Sequence, residues 1–359
     1  MRVTFIIAYE DSPYAGVVRP FINWAKELKR HGVKSTIILF RSKGLDDYLE
    51  AKGVDYQTIN DIRDLKTTLR GDLDYVFLDD YIKRLKMLNI IEKYNKHSKF
   101  VVYAQVLYGS HAISPVFTPT STKDRARELL AKAIPFSIFR SRYVKAISKA
   151  DAVIANSETT ATLLYTLYGI IADGVVYPPV DTEIFKPYTE AKERQAVIYI
   201  GSHASDTDPE VVKKVCKILN NKGFKVITLG NSRITRMLRG ECKLEHVSGV
   251  SDYELAKIYS KSMVTLAPQK WEQFGYVVAE SIACGTPVIA YNVMGPAEII
   301  KKTKAGILVN NDDELLNTVK SLDEELTKLS NSRIDGGKIP FSSKESTKTL
   351  LSVLEVKNA

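Results

Sequence analysis

Two successive stretches of the chain repeat the same alternation, a short β-branched apolar run followed by a helical pattern. This constrains the fold more than anything else in the sequence. Apolar runs of four to eight residues separated by helix-length segments point to parallel strands joined by crossover helices, because a parallel sheet is buried on both faces. The first stretch reads as strands at Val3–Ala8, Ser35–Phe40, Asp74–Leu78, Phe100–Tyr103 and Ala152–Ala155, with a helix through Phe21, Ile22, Ala25 and Leu28 that ends at His31-Gly32. It closes at Val175-Val176-Tyr177 and Pro178-Pro179.

The second stretch has strands at Ala196–Ile200, Val226–Leu229, Leu244–Val247, Val264–Ala267 and Val288–Tyr291. Its helices fall at Pro209–Leu219 and Asp252–Tyr259, with Ser251 as N-cap. The expectation is an α/β protein with two Rossmann-like domains. They are 1–180 and 196–339, joined by a linker at 181–195, with 340–359 as a final helical segment. Ligands of such domains sit at the carboxyl ends of the strands.

The most informative segment for chemistry is Lys270–Ile300, KWEQFGYVVAESIACGTPVIAYNVMGPAEII. Glu272 and Glu280 flank a Phe274-Gly275 turn that opens a short apolar helix. A glycine at a helix start lets a ligand approach the backbone, and the free N–H groups there favour an anion such as a diphosphate. A carboxylate on either side can accept hydrogen bonds from sugar hydroxyls. The segment therefore reads as a receptor for an anionic, polyhydroxylated molecule, of which a nucleotide sugar is the obvious case. The alternative is a surface helix with solvated glutamates.

The ordered string Glu272, Phe274-Gly275, Glu280, Ala283-Cys284-Gly285-Thr286-Pro287-Val288 resembles the donor-binding motif of family-4 retaining glycosyltransferases, which have the GT-B fold. Asp151–Ser157, Tyr177–Asp181 and Phe185 resemble the end of that family's first domain, and Phe341-Ser342 with its helix the segment that crosses back onto it. The resemblance implies Rossmann-like domains facing each other across a cleft. It implies a metal-independent, hexosyltransferase-type enzyme with no cofactor, using a UDP- or GDP-linked sugar. The acceptor, a glycan or lipid-linked sugar, would be held by the first domain. It further implies that Glu272 faces the donor sugar, that Glu280 holds the ribose, and that the N–H groups around Phe274, Gly275 and Tyr276 meet the diphosphate or sugar. The Ser248-Gly249-Val250 turn would then approach the base, or be an ordinary strand-to-helix loop.

Two departures stand out. The family's Arg and Lys after the first strand of the second domain are replaced by Gly201-Ser202-His203-Ala204-Ser205-Asp206-Thr207-Asp208. Lys270, Arg233, Arg236 and His203 are the candidate substitutes, each of them otherwise a surface charge. In the first domain the family's His after the strand at Phe100–Tyr103 is missing; either Gln105 fills that position or His111 reaches in from the loop. The glycine turn of that domain is reduced to Ala15-Gly16, where Gly16 still permits close approach. Asp79-Asp80 reads as a solvated strand end and Glu298 as a helix-dipole partner.

The net charge is +9, and eight basic residues against two acidic ones between Lys123 and Lys149 supply most of it. Leu129-Leu130, Ile134, Phe136, Ile138-Phe139 and Tyr143-Val144 are interleaved with them. Such a segment either lies on an anionic membrane surface or packs one face into the core with the basic face in water. No nucleic-acid motif accompanies it. With no apolar run of membrane-spanning length and an odd number of cysteines (Cys216, Cys242, Cys284) without metal-type spacing, which argues against zinc and a disulfide framework, the expectation is a reducing, cytoplasmic setting, with peripheral attachment to the membrane's cytoplasmic face through 123–149. The rivals are a nucleotide-sugar 2-epimerase, against which the glutamate string argues, and a degenerate nucleotide-sugar-binding subunit, kept open by the absent cations.

Overall fold

The computed structural model describes the chain except for residues 14, 43, 70–73, 86, 95–96, 109–132, 189–190, 202–206, 231, 331–338 and 357–359. It divides into two compact units. The first comprises Met1–Ile113, Ile134–Pro179 and Pro340–Ala359, and the second is built mainly from Val180–Ile339.

The first unit is a sheet of seven parallel strands: β1 (Arg2–Ala8), β2 (Lys34–Phe40), β3 (Tyr56–Ile59), β4 (Tyr75–Asp79), β5 (Lys99–Ala104), β6 (Ala152–Ala155) and β7 (Gly174–Val175). Their order is β3-β2-β1-β4-β5-β6-β7. Apolar layers cover both faces. On one, helix α1 (Arg19–Arg30) buries Phe21, Trp24 and Leu28 against Phe5, Phe77 and Tyr103. Pro20 suits its first turn, where a missing N–H costs nothing. On the other, helix α2 (Phe136–Ile147) turns Phe139, Tyr143 and Ile147 inward at successive turns.

The second unit has six parallel strands: β8 (Glu193–Ile200), β9 (Lys225–Gly230), β10 (Glu245–Val247), β11 (Ser262–Ala267), β12 (Val288–Tyr291) and β13 (Gly306–Val309), ordered β10-β9-β8-β11-β12-β13. The order reverses between β8 and β11, the switch point of a doubly wound sheet. The helices are α3 (Pro209–Asn221), α4 (Ser232–Leu238), α5 (Asp252–Lys261), α6 (Tyr276–Ala283), α7 (Met294–Thr303) and α8 (Asp312–Lys320). Ser251 and Glu254 form a reciprocal capping box on α5, and Asp208 and Asn311 cap α3 and α8. The last helix, α9 (Ser343–Val356), belongs to the first unit. There Trp24 Nε1 donates to Ser346 Oγ at 2.8 Å and the Tyr75 hydroxyl to Leu354 O at 2.7 Å.

The sequence reading missed β3 and β13. Both are edge strands, where partial burial weakens the apolar signal. The expected linker at 181–195 is shorter than read, since β8 already begins at Glu193. The cysteine reading needs a larger correction: Cys216 on α3 and Cys242 beyond α4 form a disulfide with Cα atoms 6.2 Å apart. No local spacing announces a pair separated by 26 positions whose approach depends on how α3 and α4 pack. Cys284 is free and buried.

Candidate nucleotide-sugar site

In the second unit the segment singled out above starts at the switch point. β11 ends at Ala267, and Pro268–Gly275 lead into α6. Gly275 is the N-cap residue of α6 with φ +96°, a left-handed conformation that a side chain resists. Its carbonyl accepts from the Val278 and Ala279 amides at 3.1 Å, so the first amides of the helix point out of its end. The start of α7 presses on the same turn. The Gly295 amide donates to Glu272 O at 3.0 Å, and a Cβ on Gly295 would lie 2.4 Å from Gln273 O. Two helix starts thus lie side by side around Glu272–Gly275.

Phe274 is buried and meets the half-buried Tyr276 ring edge to face, with centroids 5.4 Å apart. Glu280, one turn along α6, is only 1% exposed. The helix that carries it is anchored from below. The Ser281 hydroxyl donates to Thr286 O at 3.0 Å and shares a hydrogen bond with the Thr265 hydroxyl at 2.8 Å, tying α6 to β11 and to the approach of β12.

Lys270 makes an ion pair with Asp312 at 2.7 Å, and its ammonium lies 4.9 Å from the centre of the Tyr291 ring. The Tyr291 hydroxyl donates to the same Asp312 oxygen at 2.5 Å. Burial pushes the Asp312 carboxyl up, but Lys270 and Tyr291 outweigh it and hold the group below its ordinary value. At the switch point the buried Gln269 donates to Tyr199 O at 2.6 Å and reaches Thr207 Oγ1 at 3.4 Å, while that hydroxyl accepts from the Gly201 amide at 3.1 Å. Sequence reasoning missed Gln269 and Thr207, whose partners lie some sixty to seventy positions away.

Glu272, Phe274, Gly275, Tyr276 and Glu280 are therefore gathered at one turn, with Gly201 and Lys270 along the same strand ends. Gly249 (φ +69°) and Val250 lie beyond β10, two strands from β8 and so about 10 Å across the sheet. Arg233 and Arg236 are exposed on α4, and Glu298 is half-buried in the second turn of α7. His203 and its neighbours lie outside the described residues.

In the first unit Gln105 follows β5, is buried, and donates through Nε2 to Val17 O at 3.2 Å. Gly16 sits in the turn before α1 with open space where a Cβ would be. His111 lies outside the described residues. The reading of Asp79-Asp80 as a solvated strand end is wrong. Asp79 is buried in an ion pair with Arg84, whose Nε also donates to Ala8 O at 2.6 Å. Burial raises the Asp79 carboxyl to about 6 against the pull of Arg84. Asp80 is fully buried and accepts from the Gln105, Val106 and Leu107 amides at 2.8, 2.8 and 2.7 Å and from the Tyr143 hydroxyl at 2.9 Å. Two adjacent carboxylates can be buried here because each meets donors supplied by other elements.

Of the basic segment, residues 123–132 lie outside the described residues. α2 exposes Ile138, Arg140, Arg142 and Lys145, with Ile134 just ahead and Lys149 just behind. Among the described residues no helix is long and apolar enough to cross a membrane, and no group of three metal-ligating side chains occurs.

The family described as "Glycosyl transferases group 1" matches residues 180–335. The D-inositol 3-phosphate glycosyltransferase of Acidothermus cellulolyticus is 29% identical over 197 residues, 46% of this chain and 44% of that protein. The enzyme of the same name from Thermomonospora curvata is 29% identical over 199 residues, 46% of each. The chain thus matches less than half the length of these relatives. Among solved structures, HepE of Anabaena with UDP and glucose superposes with a TM-score of 0.74 at 14% identity, covering 98% of this chain and 99% of that one. A glycosyltransferase of Rickettsia africae gives 0.67 at 16%, covering 99% and 98%. The chain has the GT-B fold, and its residues 180–335 are similar to the glycosyl transferases group 1 family.

Proposed function

We propose that the chain is a retaining glycosyltransferase that moves a sugar from a nucleoside diphosphate to an acceptor hydroxyl. The observation that carries this is the turn at Glu272–Gly275, where two helix starts meet beside the buried Glu280. In this reading the first amides of α6 meet the diphosphate, Glu280 accepts the ribose hydroxyls and Glu272 those of the sugar. UDP-linked glucose is the donor to test first, because HepE of Anabaena was solved with UDP, with UDP-glucose, and with UDP and glucose. GDP-linked sugars come next.

The first unit would take the acceptor, with Gln105, Gly16 and His111 as its candidate contacts. A polyol phosphate joins lipid-linked glycans as an acceptor to test, given what the curated relatives are named for. The bond from the anomeric carbon to the diphosphate oxygen breaks and the bond to the acceptor oxygen forms on the same face. The acceptor proton passes to the departing diphosphate, so neither a metal nor a dedicated base is required, and positioning and electrostatics do the work. The basic face of α2, with Ile134 and Ile138, supports a site of action at an anionic membrane surface. Retention on anionic vesicles at low salt, lost at high salt, tests that part, and no retention removes it.

A second reading, a nucleotide-sugar-binding subunit without transferase activity, is favoured by the lack of any Arg or Lys in Gly201–Asp208. Release of UDP from UDP-glucose, with and without acceptors, separates the two. Turnover supports the transferase. Nucleotide binding with no release from any donor replaces it with the binding subunit.

A further inference from the structure

We infer that Lys270 is the cation that receives the diphosphate, and that Asp312 occupies it until the nucleotide arrives; this rests on the donor-site reading above. The segment in which the resembled family carries its cations, Gly201–Asp208, brings only His203 and two aspartates. Lys270 stands three residues past the end of β11. Its neighbour Gln269 touches Thr207, and α8, which opens at its partner Asp312, packs against α3, which Asp208 caps. The ammonium therefore sits at the edge of the segment whose cations are missing.

The Lys270–Asp312 pair is open to exchange. The two side chains are 32% and 38% exposed, and pairs this wet contribute little. A diphosphate carries at least two negative charges and several acceptor oxygens, so it outcompetes one carboxylate for an ammonium on a flexible stem. Asp312 is not stranded when Lys270 leaves, since the Tyr291 hydroxyl still donates to it. The remaining negative charge then opposes the bound diphosphate, so Asp312 both masks the cation and weakens the affinity.

The test is calorimetry of UDP and of uridine on the full chain and on Lys270→Met, Asp312→Asn and the double variant. Asp312→Asn keeps an acceptor for Tyr291. The inference expects UDP to bind Asp312→Asn about five-fold tighter and Lys270→Met about ten-fold weaker, with uridine indifferent to both. Because Asp312 acts through Lys270, its substitution should lose most of its effect when Lys270 is already Met. UDP affinity unchanged or weakened in Asp312→Asn, or tightened equally in both backgrounds, overturns the inference while leaving the donor site standing. Failure of the unaltered chain to bind any nucleotide removes the donor site itself, and this inference with it.

Discussion

Gly295→Ala is the most informative single substitution, because it strikes the geometry of the site without touching any proposed ligand group. A Cβ at Gly295 would lie 2.4 Å from Gln273 O and 2.5 Å from both the Cα and the O of Phe274. These are backbone atoms, so no side chain can swing away. Restoring ordinary contact requires the start of α7 and the Glu272–Gly275 turn to part by about 1 Å. Overpacking of this kind costs about 1–3 kcal/mol, which for a unit of this size lowers the melting temperature by roughly 3–10 °C. The same displacement moves Glu272 and the first amides of α6 off any bound diphosphate, and misplacement on the order of 1 Å is enough to lose about ten-fold or more in affinity or rate. The assay pairs thermal melting with UDP calorimetry. Gly240→Ala is the control, since its Cβ meets nothing within 4 Å. If Gly295→Ala melts and binds like the unaltered chain, the close approach of α7 to the turn is wrong. If it melts lower but binds nucleotide equally well, the turn does not form the site.

Three further outcomes follow from the buried chemistry. At pH 8 the folded chain should react with no thiol reagent, because burial and the neighbouring Glu280 push the Cys284 thiol up to about 12 and the other two cysteines are bonded; unfolding should expose one thiol, and unfolding with reduction three. Reduction should cost about 3–4 kcal/mol for a loop of this length, and three thiols without reductant would refute the disulfide. Arg84→Met should destabilise the first unit by about 3–5 kcal/mol by leaving Asp79 buried and unpaired, with most of that recovered in the double variant with Asp79→Asn; a loss below about 1 kcal/mol would mean that the pair is not structural. Because the folded pKa of Asp79 is raised to about 6 from 3.8, the folded state holds the extra proton between those values. Its contribution to stability is therefore present below about pH 4 and lost as pH rises through 6, and denaturant titrations of Asp79→Asn should lack that slope.

Much of the fold is written in runs such as Phe5-Ile6-Ile7, Val101-Val102-Tyr103 and Val288-Ile289-Ala290, which have no solvated face and suit only the inside of a parallel sheet. The helix starts are equally plain, since Ser251 with Glu254 satisfies its own end of α5 through contacts three residues apart. The candidate site was legible for the same reason: Glu272, Gly275 and Glu280 fall on one turn and the helix it opens. Whatever depends on distant partners was hidden. Asp80 looks like a surface carboxylate until Gln105–Leu107 and Tyr143 arrive from β5 and α2. Lys270 stands out in the motif, but its partner Asp312 lies 42 positions further along and meets it only because β11, β12 and β13 are neighbours. Gln269 and Thr207 carry no signal at all until β8 and β11 are paired.

In the proposed function the turn before α6 holds a nucleoside diphosphate with Glu280 as a ligand group. Calorimetry of UDP, GDP and ADP on the unaltered chain and on Glu280→Gln tests it most directly, since glutamine keeps the shape and removes the charge. One nucleotide should bind tightly, with its binding weakened about ten- to hundred-fold in Glu280→Gln, the loss expected for a charged hydrogen-bond acceptor. A nucleotide that binds both proteins equally, or no nucleotide that binds the unaltered chain, contradicts it.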